Sequence, residues 1–99
     1  MKPSKPYKHW ITTYKPQGAP TELYLHANDE HAADLHYGHM MFSASRGGDR
    51  IGRTRAPVNT GAAIDELLSR GEPVVVYSWS DAWERYLVIA EFAVNVVAA

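Results

Sequence analysis

A helix followed by a continuous apolar strand, within residues 59–79, constrains the fold more than any other part of this chain. Asn59 or Thr60 can cap the helix and Gly71 ends it. Four apolar residues at helical spacing form one stripe between them: Ala63, Ile64, Leu67 and Leu68. The run that follows includes three consecutive valines, Val74–Val76, which is typical of a strand covered on both faces. The sequence therefore predicts a sheet against which helices pack.

Short strands are predicted at both ends of the chain. Residues 8–14 and 21–26 are rich in aromatic and β-branched side chains and flank a proline- and glycine-bearing turn at 16–20. Residues 80–83 can connect the valine strand to a last element, 84–94, which fits either a strand or a helix. Alternation favours the strand, with Tyr86, Val88, Ala90, Phe92 and Val94 on one face and Leu87, Ile89 and Glu91 on the other.

The middle of the chain allows two interpretations. Asn28 can cap a helix with acids in its first turn, and Gly38 can end that helix. The alternative is a helix that continues to Ser45 with Gly38 inside it. We prefer the break, because residues 39–45 and 51–55 then form a hairpin around a glycine turn.

Together these elements give the approximate order ββαββαββ, an α+β fold with a small, mostly antiparallel sheet and two helices. Ninety-nine residues match the size of a single domain, 1–99, of which residues 1–6 look like a flexible N-terminal arm. The composition, 45% hydrophobic and 21% charged, is that of a globular chain with a packed core. No apolar stretch is long enough to span a bilayer, so we expect no membrane association. The absence of cysteine excludes disulfides and thiolate metal sites and fits the cytoplasm.

Charge is segregated along the chain although the net charge is only −1. Residues 1–21 carry four lysines and no acid, and residues 22–35 carry four acids and no lysine or arginine. Residues 46–55 carry four arginines against one acid, and residues 65–91 carry six acids against two arginines. Such patches favour charged partners through orientation and steering.

Protein recognition is the function that we favour. Aromatic residues cluster around the turn after the valine strand, and the arginines lie in the hairpin, a combination typical of interface anchors. We expect the partner-binding residues to be Arg46, Arg50, Arg53, Arg55, Trp79 and Trp83. The partner would be a larger protein or nucleoprotein, and the chain an accessory or inhibitory protein of the kind that phages and mobile elements carry. A homodimer through an uncovered edge strand is compatible with this interpretation.

Nucleic-acid binding is the first alternative. Basic and aromatic residues interleave near the N-terminus, where they can neutralise phosphates and stack on bases: Lys5, Lys8, Trp10 and Lys15. The arginine hairpin would add phosphate contacts. The sequence pI near 6.5 argues against a dedicated nucleic-acid binder.

A small metal-dependent hydrolase is the second alternative, built on the segment His26–His39. Imidazole and carboxylate are the ligands of catalytic zinc and non-haem iron, and the candidate ligands are His31, Asp34, His36 and His39. Their spacing is poor, because His31 and His36 are five residues apart and point to different sides of a helix. No nucleophile elbow or phosphate loop is present either, so we favour a non-enzymatic function with no cofactor.

Overall fold

Seven strands and two helices make up the part of the chain that the computed structural model describes, residues 8–44 and 49–94. In chain order they are β1 (Lys8–His9), β2 (Ile11–Lys15), β3 (Thr21–Leu25), α1 (Glu30–Ala44), β4 (Arg50–Arg53), β5 (Val58–Asn59), α2 (Thr60–Ser69), β6 (Val74–Ser80) and β7 (Arg85–Phe92). The predicted α+β fold is confirmed. The proposed flexible arm, residues 1–6, lies outside the described residues. Neither described helix has the length and apolar character that crossing a membrane requires.

The main sheet has five strands in the order β4-β2-β3-β6-β7, and β1 and β5 form a separate two-residue ribbon. Strands β3 and β6 run parallel, whereas every other pair of neighbours is antiparallel. Strands β4 and β7 therefore lie at opposite edges of the sheet.

The hydrophobic core lies between the sheet and α2. Four fully buried side chains from three strands form its centre: Ile11, Leu23, Val74 and Val76. The predicted stripe of α2 packs against them, and α2 begins as predicted with the Ala62 N–H donating to the Asn59 side chain at 2.8 Å. The helix is followed by Gly71, whose φ of +81° is one that a glycine adopts without strain.

Helix α1 is longer than predicted, and the predicted strand at residues 39–45 is wrong. Ala33 and Met40 are both buried and lie seven residues apart, which places them on one side of a continuous helix. Burying Met40 offsets the cost of about 1 kcal/mol for Gly38 in a helix interior. The helix cap is Asp29 rather than Asn28, since the Ala32 N–H donates to Asp29 Oδ1 at 3.0 Å.

Strand β4 does not form a hairpin with residues 39–45 as predicted. It pairs with β2 instead, with Thr12 opposite Arg53. The predicted glycine turn falls mostly on residues 45–48, which lie outside the described residues.

The last element is a strand, as alternation favoured, but its predicted division into two faces is wrong. Tyr86 and Val88 pair with Trp79 and Tyr77, and the register then shifts at a bulge. Beyond the bulge Ala90 pairs with Val76, on the face that carries the core. One additional residue in a strand reverses the facing of everything after it, and no local sequence signal marks the position.

Helices α1 and α2 lie on opposite faces of the sheet. Ile11 belongs to the core under α2, whereas the adjacent Thr12 hydrogen-bonds His36 of α1, and neighbouring residues of a strand face opposite ways. Helix α1 packs mainly on β4 and β2. This leaves the β6–β7 side of the α1 face less covered, and the cleft described below lies there.

Candidate functional site

The predicted arginine anchors lie in different environments along the β4 edge. Arg53 forms ion pairs with Asp34 and, at 3.5 Å, with Glu30; its side chain is 18% exposed. Its guanidinium also lies 5.6 Å from the centre of the Trp10 ring. Arg53 is thus neutralised within the fold and is a poor candidate for partner contact.

Arg50 and Arg55 remain at the surface. The Arg50 side chain is 68% exposed and lies 3.5 Å from Glu72, a surface pair of small energetic value. Arg55 is also exposed. The fourth predicted anchor, Arg46, lies outside the described residues.

The two predicted tryptophan anchors are exposed at the tip of the β6–β7 hairpin. Trp79 is 48% exposed and Trp83 is 66% exposed. The Trp79 Nε1–H donates to Asp81 Oδ1 at 3.0 Å, and the Trp83 N–H donates to Ser80 Oγ at 3.2 Å. These bonds order the turn at 81–84 and hold two large apolar side chains in contact with water.

The structure does not bring the arginines and the tryptophans into one site. Four strand spacings separate β4 from β7, roughly 19 Å across the sheet. A partner that contacted both groups would have to span the whole sheet. Sequence patterning could not show this separation, because strand order is set by long-range pairing.

Two apolar residues of β7 were not predicted as site residues, yet they extend the exposed surface: Val88 is 49% exposed and Ile89, at the bulge, is 58% exposed. Phe92 is 38% exposed, but it pairs with Val74 and so lies on the opposite face of the sheet. We call the set Trp79, Trp83, Val88 and Ile89 the hairpin surface. The sequence signal for this surface is the long apolar run 86–90, which contains more apolar side chains than a strand with one buried face can bury.

A histidine cluster lies next to the hairpin, centred on Thr12. The buried Thr12 hydroxyl lies 2.9 Å from His26 Nε2 and 2.6 Å from His36 Nδ1, so it can donate to one ring and accept from the other. The Tyr86 hydroxyl lies 3.3 Å from His26 Nδ1. Tyr24 contacts the His36 ring edge-on at 4.4 Å between ring centres.

Both imidazoles of this cluster are neutral near pH 7. Burial, together with smaller contributions from the nearby His26 and His39, lowers the pKa of His36 to about 4. Burial also lowers the pKa of His26, partly opposed by the charge of Asp29. Sequence reasoning did not identify Thr12, because the three residues are distant along the chain.

The predicted metal ligands do not converge. His31 and His39 are exposed, Asp34 is paired with Arg53, and His36 bonds Thr12. Within residues 8–44 and 49–94, no three or more histidine and acidic side chains are arranged to hold a metal ion. The fold therefore gives the hydrolase hypothesis no metal centre in that part of the chain.

The predicted nucleic-acid residues are dispersed. Lys15 Nζ donates to the carbonyls of Pro16, at 3.2 Å, and Ala19, so it closes its own turn. Trp10 is partly buried beside Arg53. Lys8 is exposed, and Lys5 lies outside the described residues. No described contact brings them together as one basic surface.

An open cleft of about 750 Å³ lies between the first half of α1 and the tip of the β6–β7 hairpin. Its lining combines apolar, aromatic, imidazole and carboxylate side chains: His9, Leu25, His26, Ala27, Asp29, Ala32, Leu35, His36, Ser78, Trp79, Asp81 and Tyr86. This volume is in the range of small-molecule sites.

Comparison with known proteins gives no guide to either surface: no family model, no curated protein and no solved structure matches this chain.

Proposed function

We propose that this chain is a non-enzymatic binding domain that docks a larger protein on the hairpin surface. The observation that carries the proposal is the exposure of Trp79 and Trp83 on a turn ordered by its own hydrogen bonds. Tryptophan is the residue most enriched among energetic anchors of protein interfaces, and an ordered turn loses little entropy on binding.

Charge around the hairpin surface indicates the chemistry of the partner. Asp81, Glu84 and Glu91 are exposed, and the one described cation among them, Arg85, lies 5.7 Å from the centre of the Trp83 ring. A complementary partner would offer an apolar pocket for the indoles with basic residues at its rim. Among the described residues, strand β7 pairs on one side only, and a partner strand could extend the sheet at its other edge.

The test compares the two edges of the sheet. The partner is isolated with the wild-type chain, and its affinity is then measured for three variants. We expect Trp83→Ala to weaken binding at least thirtyfold, which corresponds to about 2 kcal/mol for an anchor residue. The double variant Arg50→Glu/Arg55→Glu should change affinity less than threefold. Phe42→Ala, an 84% exposed aromatic on α1, is the matched control and should bind as the wild type does.

The opposite result would assign the interface to another surface. Loss of binding in the arginine double variant with full binding by Trp83→Ala would place the partner at the β4 edge. Light scattering of the free chain tests whether the chain forms a homodimer. A concentration-dependent dimer that Ile89→Lys abolishes would assign the β7 edge to a second copy.

Two broader interpretations stay predictions. An accessory or inhibitory role is tested by what the partner does once the chain is bound. Nucleic-acid binding is tested by filter binding at two salt concentrations, because phosphate contacts make affinity fall steeply with ionic strength.

A further inference from the structure

The cleft beside the hairpin has a chemical character that protein docking does not require. Aromatic rings form part of its wall, with Trp79 and Tyr86 edge-on at 5.2 Å between ring centres. Leu25 and Leu35 add apolar surface, and Leu35 is 62% exposed although it lies on the cleft wall. Such a lining favours a ligand with an apolar body.

The charged groups of the cleft are both acidic. Asp29 and Asp81 line it, and no lysine or arginine of the described chain does. Asp29 Oδ1 accepts the Ala32 N–H and Asp81 Oδ1 accepts the Trp79 Nε1–H. Within the described residues neither Oδ2 accepts a hydrogen bond, so each carboxylate keeps an oxygen for a ligand.

Of the three histidines that line the cleft, His26 and His36 do not cancel this negative charge. The His26 and His36 rings are hydrogen-bonded through Thr12 and are held neutral by burial. An anion in the cleft would therefore meet two carboxylates and no lysine or arginine of the described residues. A cation would meet the carboxylates and the aromatic rings of the lining, whose π faces attract positive charge.

From the shared lining of aromatic rings and two carboxylates, we infer that this cleft binds a small organic cation, an ammonium group on an aromatic body. The ammonium would lie between the carboxylates and Trp79, and the ring against the apolar wall. The inference is independent of the proposed protein docking, since it concerns the free chain and a small molecule.

Two probes of similar shape and opposite charge test the inference by isothermal titration calorimetry. They are 2-phenylethylammonium and 3-phenylpropionate at low ionic strength. We expect the ammonium to bind at least about tenfold more tightly, since exchanging attraction for repulsion near two partly exposed carboxylates changes affinity by at least this factor.

Variants locate the site without disturbing the fold. Asp29→Asn and Asp81→Asn each keep the Oδ1 acceptor and remove only the charge, and asparagine caps a helix as well as aspartate does. Each should weaken ammonium binding about three- to tenfold. Asp65→Asn, which removes an exposed charge from α2, is the matched control and should leave affinity unchanged.

Three results would overturn the inference. They are no heat of binding with millimolar ammonium, equal affinity for both probes, and unchanged affinity in the Asp29→Asn/Asp81→Asn double variant. A failure of Trp83→Ala to affect protein binding would leave the inference intact, because Trp83 does not line the cleft.

Discussion

The Thr12 hydroxyl hydrogen-bonds two histidine rings, and its removal should measurably lower the stability of the fold. Thr12→Val keeps the shape of a fully buried side chain but removes the group that bonds His26 at 2.9 Å and His36 at 2.6 Å. Each hydrogen bond contributes about 1 kcal/mol net, and a buried nitrogen left without a partner costs about 1 to 3 kcal/mol. His26 is only 6% exposed, so its Nε2 has little access to water. We expect the free energy of unfolding to fall by about 2 to 4 kcal/mol.

Urea denaturation followed by circular dichroism measures this loss as a lower midpoint with an unchanged slope. Thr13→Val is the matched control. It is the next residue on the same strand, it faces the opposite side, and its hydroxyl makes no hydrogen bond within the described residues. We expect it to stay within about 0.5 kcal/mol of the wild type.

Thr12→Ser restores the hydroxyl and should recover most of the stability that valine loses. If Thr12→Val proved as stable as Thr13→Val, the reasoning would be refuted, because the hydroxyl would then contribute nothing to holding the two rings.

The remaining predictions concern pH and two glycines. In the unfolded chain His26 and His36 return to an ordinary pKa of about 6.5, so between pH 6.5 and 4 the unfolded state binds more protons. The free energy of unfolding should therefore be highest above pH 6.5 and fall by about 1 to 2 kcal/mol toward pH 4. The His36→Gln variant should show a weaker pH dependence. A melting temperature that does not change with pH would contradict this prediction. Gly38→Ala should raise the free energy of unfolding by about 0.5 to 1 kcal/mol, since open space surrounds this helical position. Gly71→Ala should lower the free energy of unfolding by about 1 kcal/mol, because the φ of +81° at this position strains a residue with a side chain. The melting temperatures of the two glycine variants should therefore shift in opposite directions from that of the wild type.

Local sequence signals predicted the helices correctly where no tertiary contact opposed them. Asn59, the α2 stripe and Gly71 all lie within a few residues of the helix they specify, and each acts as predicted. The α1 segment shows the limit of such signals. Gly38 predicts the end of the helix, but burial of Met40 on the helix face outweighs the local cost of glycine.

The α+β class, helix α2, strand β6 and the aromatic turn follow from local sequence signals, because caps, glycines and periodicity act over one or two turns of chain. Long-range strand pairing is what places the arginine and tryptophan groups at opposite edges of the sheet and brings Thr12 between His26 and His36. Both depend on which strands pair and which face each presents. A bulge of one residue or a helix two turns longer changes that outcome while leaving the local sequence signals as they were.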